Sequence, residues 1–225
     1  VMAATFGGLP RRNMLPQSAL QDVTPTAPTR EPVVVTHNGG ATQAAVIIAY
    51  PTAGGLDDIR TARRLEILAA IFNDKLYERL RDRAGASYSQ AVASNWPMAF
   101  PSGGYVFVGG LVRPEDAQLM VESASAIAAE LAATPVTPDE LQRAVGPAAE
   151  QIVRASSGNV FWMIQSEGAT RDPRRTAALQ SYLADLTQVT PADLQALARQ
   201  YLTDARAVEV RIVPAASASG SDIAP

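Results

Sequence analysis

Sixteen prolines partition this 225-residue chain more firmly than any other feature. Each fixes φ and lacks an N–H, so it suits a helix start, a turn or a strand edge and little else. Pro10, Pro16, Pro25, Pro28 and Pro32 crowd one polar stretch, which predicts an extended linker rather than a helix or central strand. Pro97 and Pro101, with Gly103-Gly104, mark a turn. Pro114 and Pro138 stand at first helical positions, the second inside the capping box Thr137-Pro138-Asp139-Glu140, and Thr190-Pro191-Ala192-Asp193 introduces a last helix. Gly146-Pro147 predicts a kink or interruption.

Regular structure is expected between these marks. Val33–Val35 opens a strand, Asn38-Gly39-Gly40 turns the chain, and Ala41–Tyr50 continues as β until Pro51 to Gly55 ends it. From about Asp57, the residues Ile59, Ala62, Leu65, Leu68, Phe72, Leu76 and Leu80 form one apolar stripe at helical spacing. Ala84-Gly85 stops that helix. Ala86–Trp96 and Tyr105–Val112 then read as two strands close enough to pair as a hairpin. Helices follow from Pro114 and Pro138, with two further helical stretches, before Val208, Val210 and Ile212 alternate in a final strand.

The resulting order, β-β-α-β-β-α-α-α-α-β, predicts an α+β fold: a mainly antiparallel sheet with helices packed on one side. Val1–Phe6 reads as the tail of a helix stopped by Gly7-Gly8. The expected organisation is therefore the end of a preceding domain and a linker over 1–31, a domain over 32–214, and a disordered tail over 215–225. Gly103-Gly104 and Gly109-Gly110 suggest close backbone approach or a bulge. Trp96, Phe100, Phe161 and Trp162 could line a cavity, but aromatics at such positions are more often core, and no role is assigned to them.

Composition removes several functions. A net charge of −3 and a pI near 5.2 give no electrostatic case for nucleic acid. The longest apolar run, Ala44–Tyr50, is too short to cross a bilayer, so no transmembrane segment is expected. Neither a phosphate-binding glycine loop nor a G-x-S-x-G elbow is present. A catalytic zinc takes three protein ligands, mostly histidine, yet the chain has one histidine, His37, and no cysteine. His37 adjoins a turn and is expected to be solvated. No metal or other cofactor is expected to be held by this chain.

The segment that could carry chemistry is Lys75–Ser89, which leaves a helix, crosses a glycine turn and enters a strand. Such a connection can fold back and bring Arg81 beside Tyr88. Both are donors near neutral pH, and together they suit the negative oxygen of a tetrahedral intermediate. The plainer reading is that Arg79, Arg81 and Arg83 stabilise a helix C-terminus and that Tyr88 is an ordinary strand tyrosine.

The same block, Leu80-Arg81-Asp82 with Gly85 and Tyr88-Ser89, resembles the arginine–tyrosine motif of insulinase/pitrilysin-type zinc metallopeptidases, especially the bacterial relatives of mitochondrial processing peptidase. Thr5–Pro10 is similar to the phrase closing the preceding domain in such proteins. Gln43–Pro51 resembles their first long strand, and Asp193–Tyr201 with Val208–Val213 their closing helix and strand.

The resemblance implies a clamshell of related α+β units with a metallohydrolase-like α/β roll. One unit binds zinc through an inverted His-x-x-Glu-His helix; the other closes over an extended peptide and offers arginine and tyrosine to the scissile carbonyl. Lacking His-x-x-Glu-His, this chain is similar to the second kind. Arg81 and Tyr88 are its implied site residues, zinc is expected in a partner domain or subunit, and a peptide is the expected substrate. A catalytically inactive structural or assembly subunit of the same fold, as in the respiratory-chain core proteins, is the alternative.

Overall fold

The computed structural model describes residues 31–84 and 89–215, with Thr5 and Gly8; of residues 82–84 it describes the backbone alone. The readings of the leading segment and of the tail after residue 215 lie outside the described residues. Two strands, β1 (Val33–His37) and β2 (Ala44–Ala53), precede helix α1 (Ile59–Ala84). Strands β3 (Ser89–Asn95) and β4 (Ser102–Val112) follow. A 3-10 turn at Pro114–Asp116 leads into α2 (Ala117–Ala133) and α3 (Pro138–Ala155), then α4 (Asn159–Gln165), α5 (Arg174–Thr187), α6 (Pro191–Tyr201) and β5 (Val208–Pro214). The fold is α+β as expected, with five helices where four were expected between β4 and β5.

The five strands form one sheet in the order β1-β5-β2-β4-β3. All pairings are antiparallel except β1 with β5. Thus β1 and β2 are not neighbours despite the short turn between them, because the last strand inserts there. β2 also runs three residues further than expected, through Pro51. Its ladder to β5 ends at Ala49↔Val208, so Pro51 faces no strand on that side and its missing N–H breaks no bond there.

β2 alternates regularly: Ala44, Val46, Ile48, Tyr50 and Thr52 are buried, while the residues between them are partly covered. The buried face meets Leu65, Leu68, Phe72 and Leu76 of α1, Met120 and Ile127 of α2, and Leu194 and Ala198 of α6 in a single core. Register fixes the composition of the opposite face. Ala45, Ile47 and Ala49 of β2 lie opposite Leu111, Gly109 and Phe107 of β4 and beside Ile212, Val210 and Val208 of β5.

Helix starts are as local chemistry dictates. Thr137 accepts a bond from the Glu140 N–H while the Glu140 side chain returns to the Thr137 N–H, and Thr190 with Asp193 repeats the arrangement. α3 runs unbroken through Pro147, contrary to the expected interruption. Pro147 is exposed, so the Arg143 carbonyl that loses its helical partner faces solvent. At the β2–β4 end, Gly103 has φ of +90°, and a Cβ on Gly104 would lie 2.1 Å from the Ala53 carbonyl oxygen. The close approach and the bulge at Thr52/Ala53 are those the glycine pair suggests.

Candidate functional site

Helix α1 carries the chain's charged chemistry in three zones. At its middle, Lys75 donates to Glu130 of α2 at 2.8 Å and to Glu140 of α3 at 2.6 Å, and Arg79 reaches Glu130 at 3.1 Å. Burial by itself would raise the Glu140 carboxyl. The bonds from Lys75 and Thr137 outweigh that and lower it to about 2. These two cations clasp three helices together and are committed to structure.

Arg81 lies outside that clasp. It is exposed, and its guanidinium carbon lies 6.0 Å from the centre of the Tyr77 ring, one helical turn back on the same face. Tyr77 is 52% exposed. Tyr88 and the glycine turn lie outside the described residues, as do the side chains of Asp82 and Arg83. The structure therefore places Arg81 at the solvent-facing end of α1, four residues before that segment, with a neighbouring phenol that the sequence reading passed over. Its i, i+4 spacing from Arg81 was the available signal.

The first zone, near the start of α1, is built differently. Arg63 lies flat over the Tyr182 ring of α5, 3.4 Å from its centre, and its side chain is 10% exposed. It bonds Glu66 at 3.4 Å, and the Tyr182 hydroxyl reaches the other Glu66 oxygen at 3.5 Å. Burial raises the Glu66 carboxyl above its ordinary value, opposed by the Arg63 charge and these bonds. A cavity of about 500 Å³ opens beside this pair. Trp96 forms part of its wall and so is not simply core, and Trp162, on α4, is half exposed.

The residues of this chain do not fit a catalytic zinc. His37 uses both ring nitrogens within its own turn, accepting from the Gly39 N–H and donating to the Gln43 carbonyl, rather than meeting solvent freely. Among the described residues no group of three histidine, aspartate or glutamate side chains could hold a metal. Among those residues, too, no single helix is long and apolar enough to cross a membrane.

Residues 1–146, more than half of the chain, match the family profile described as the peptidase M16 inactive domain. The chain belongs to that family. No curated protein matches it in sequence. The fold of this M16 inactive domain is similar to that of a protease from Helicobacter pylori (TM-score 0.69, 14% identity), over 81% of this chain and 43% of the other. It is similar also to the inactive peptidase domain of a zinc-protease-type protein from Bordetella parapertussis (TM-score 0.65, 19% identity), over 80% and 97% of the two chains. A third likeness is the ferredoxin protease FusC in complex with Arabidopsis ferredoxin (TM-score 0.65, 16% identity), over 81% and 20%. This M16 inactive domain spans less than half the length of the Helicobacter protease, and nearly all of the Bordetella domain.

Proposed function

We propose that this M16 inactive domain is the half of an insulinase-like metalloendopeptidase that does not bind zinc, closing over an extended peptide and stabilising the oxyanion through Arg81 and Tyr88. The observation that carries the reading is the position of Arg81. It stands exposed near the end of α1 in a domain of this family, beyond the cations that bind Glu130 and Glu140. A guanidinium keeps its charge at any working pH, and a phenol donates while neutral. Two such donors aimed at the scissile carbonyl oxygen strengthen as negative charge develops there, which lowers the barrier rather than tightening ground-state binding. The zinc-binding domain or subunit is the partner this reading requires, and a peptide is the substrate.

Steady-state cleavage of a quenched peptide by the complete enzyme tests it. Arg81→Ala lowers kcat roughly a hundredfold or more with thermal unfolding unchanged. Unchanged kcat would reduce the domain to an enclosing or assembly role.

A further inference from the structure

Helix α1 carries two aromatic residues and treats them oppositely. Phe72 is fully buried in the core, whereas Tyr77 is 52% exposed. Burial therefore does not account for a ring at position 77. Nor does helix propensity, since an aromatic side chain loses χ1 freedom against the preceding turn and a straight-chain residue would suit the position better.

Arg81 follows four residues later, so the two side chains share one face about 6 Å apart along the axis. A helical Cα–Cβ bond tilts toward the N-terminus, which starts the Arg81 stem back across the Tyr77 turn. The guanidinium carbon accordingly lies over the Tyr77 ring, 6.0 Å from its centre. That distance is at the edge of the cation–π range, so the attraction is modest and its main effect is on orientation.

Orientation matters at this place on the helix. α1 ends at Ala84, and the last four carbonyls of a helix have no helical partner. They attract a nearby guanidinium and would draw it along the axis toward the helix end. The long arginine side chain has ample rotamer freedom to follow. A ring on the same helix moves with the same backbone and favours the conformers that lie back across it. Being neutral, the ring does so without cancelling the charge.

We infer that Tyr77 is a positioning residue for Arg81, its ring holding the guanidinium back over the helix face. That the positioned charge serves turnover rests on the proposed oxyanion reading; that the ring positions it does not.

The NMR order parameter of the Arg81 Nε–H bond in the 225-residue chain reads the positioning directly. It falls in Tyr77→Leu and stays near the wild-type value in Tyr77→Phe, which keeps the ring and loses only the hydroxyl. In the complete enzyme, Tyr77→Leu lowers kcat about fivefold with KM unchanged, and Tyr77→Phe stays within about twofold of wild type. Adding Tyr77→Leu to Arg81→Ala costs nothing further, because the ring acts only through the guanidinium. An order parameter indifferent to Tyr77→Leu overturns the inference, as does a Tyr77→Phe variant that behaves like Tyr77→Leu. Multiplied losses in the double variant, or a raised KM with unchanged kcat, overturn it too by giving Tyr77 its own contact with substrate. Wild-type kcat in Arg81→Ala, with a lowered order parameter in Tyr77→Leu, upholds the positioning and removes the oxyanion reading instead.

Discussion

The two ends of α1 hold arginine in opposite ways. Near the start, Arg63 is nine-tenths buried, sandwiched against Tyr182 and bonded to Glu66. Near the finish, Arg81 is exposed beside an exposed Tyr77. A guanidinium fixed by packing can shape a cavity and tune its neighbours, but it cannot turn toward an incoming carbonyl. Between them, Lys75 and Arg79 are bound to carboxylates from α2 and α3, so the middle of the helix is an anchor between the buried arginine and the exposed one.

That division can be broken or sharpened by four substitutions or titrations, beginning with the anchor. Phe72 is fully buried under the sheet. Phe72→Ala removes both transfer energy and packing and destabilises the domain by about 3–5 kcal/mol, measured by denaturant unfolding. Lys75→Met removes the hub of the clasp and leaves Glu130 and Glu140 facing each other across α1. Because the pair is partly solvated, the expected loss is about 1 kcal/mol. The pH dependence has a definite sign. Folding lowers the Glu140 carboxyl to about 2, so its contribution is complete above the ordinary value of 4.5 and fades as pH falls toward 2. In the Lys75→Met protein that acid-side slope is shallower, which thermal unfolding across pH 2–6 would register. Arg81→Ala has the smallest effect on folding, within about 0.5 kcal/mol, as expected of an exposed side chain. A loss as large as that of Lys75→Met would make Arg81 part of the anchor and erase the distinction.

Much of this arrangement is legible in the sequence where it depends on neighbours in the chain. The capping boxes at Thr137 and Thr190, the long stripe from Ile59 to Leu80 and the alternation in β2 are written within a few residues of where they act. The insertion of β5 between β1 and β2 is not, because the partners of Val33 and Ala45 lie more than 150 positions away and no local pattern names them. Pro51 stops a strand by local rules, but here the ladder it would disturb has already ended. The site divides similarly. Arg81 stands out by its motif, whereas the cavity needs α1, β3 and β4 to meet before Arg63 and Trp96 line one space. Trp96, for which the sequence left core and cavity both open, packs against the core and forms part of a cavity wall.

The measurement that bears most directly on the proposed oxyanion pair is kcat of the complete enzyme carrying Tyr88→Phe, alone and combined with Arg81→Ala. Removing only the hydroxyl keeps the ring and its packing, so a change in turnover reports the hydrogen bond itself. If both groups stabilise one oxyanion, Tyr88→Phe lowers kcat roughly a hundredfold with KM little changed, and the double variant loses less than the product of the two single losses. Wild-type kcat in Tyr88→Phe would contradict an oxyanion role for that residue. Wild-type kcat in both single variants would leave the proposed pair without a role in turnover.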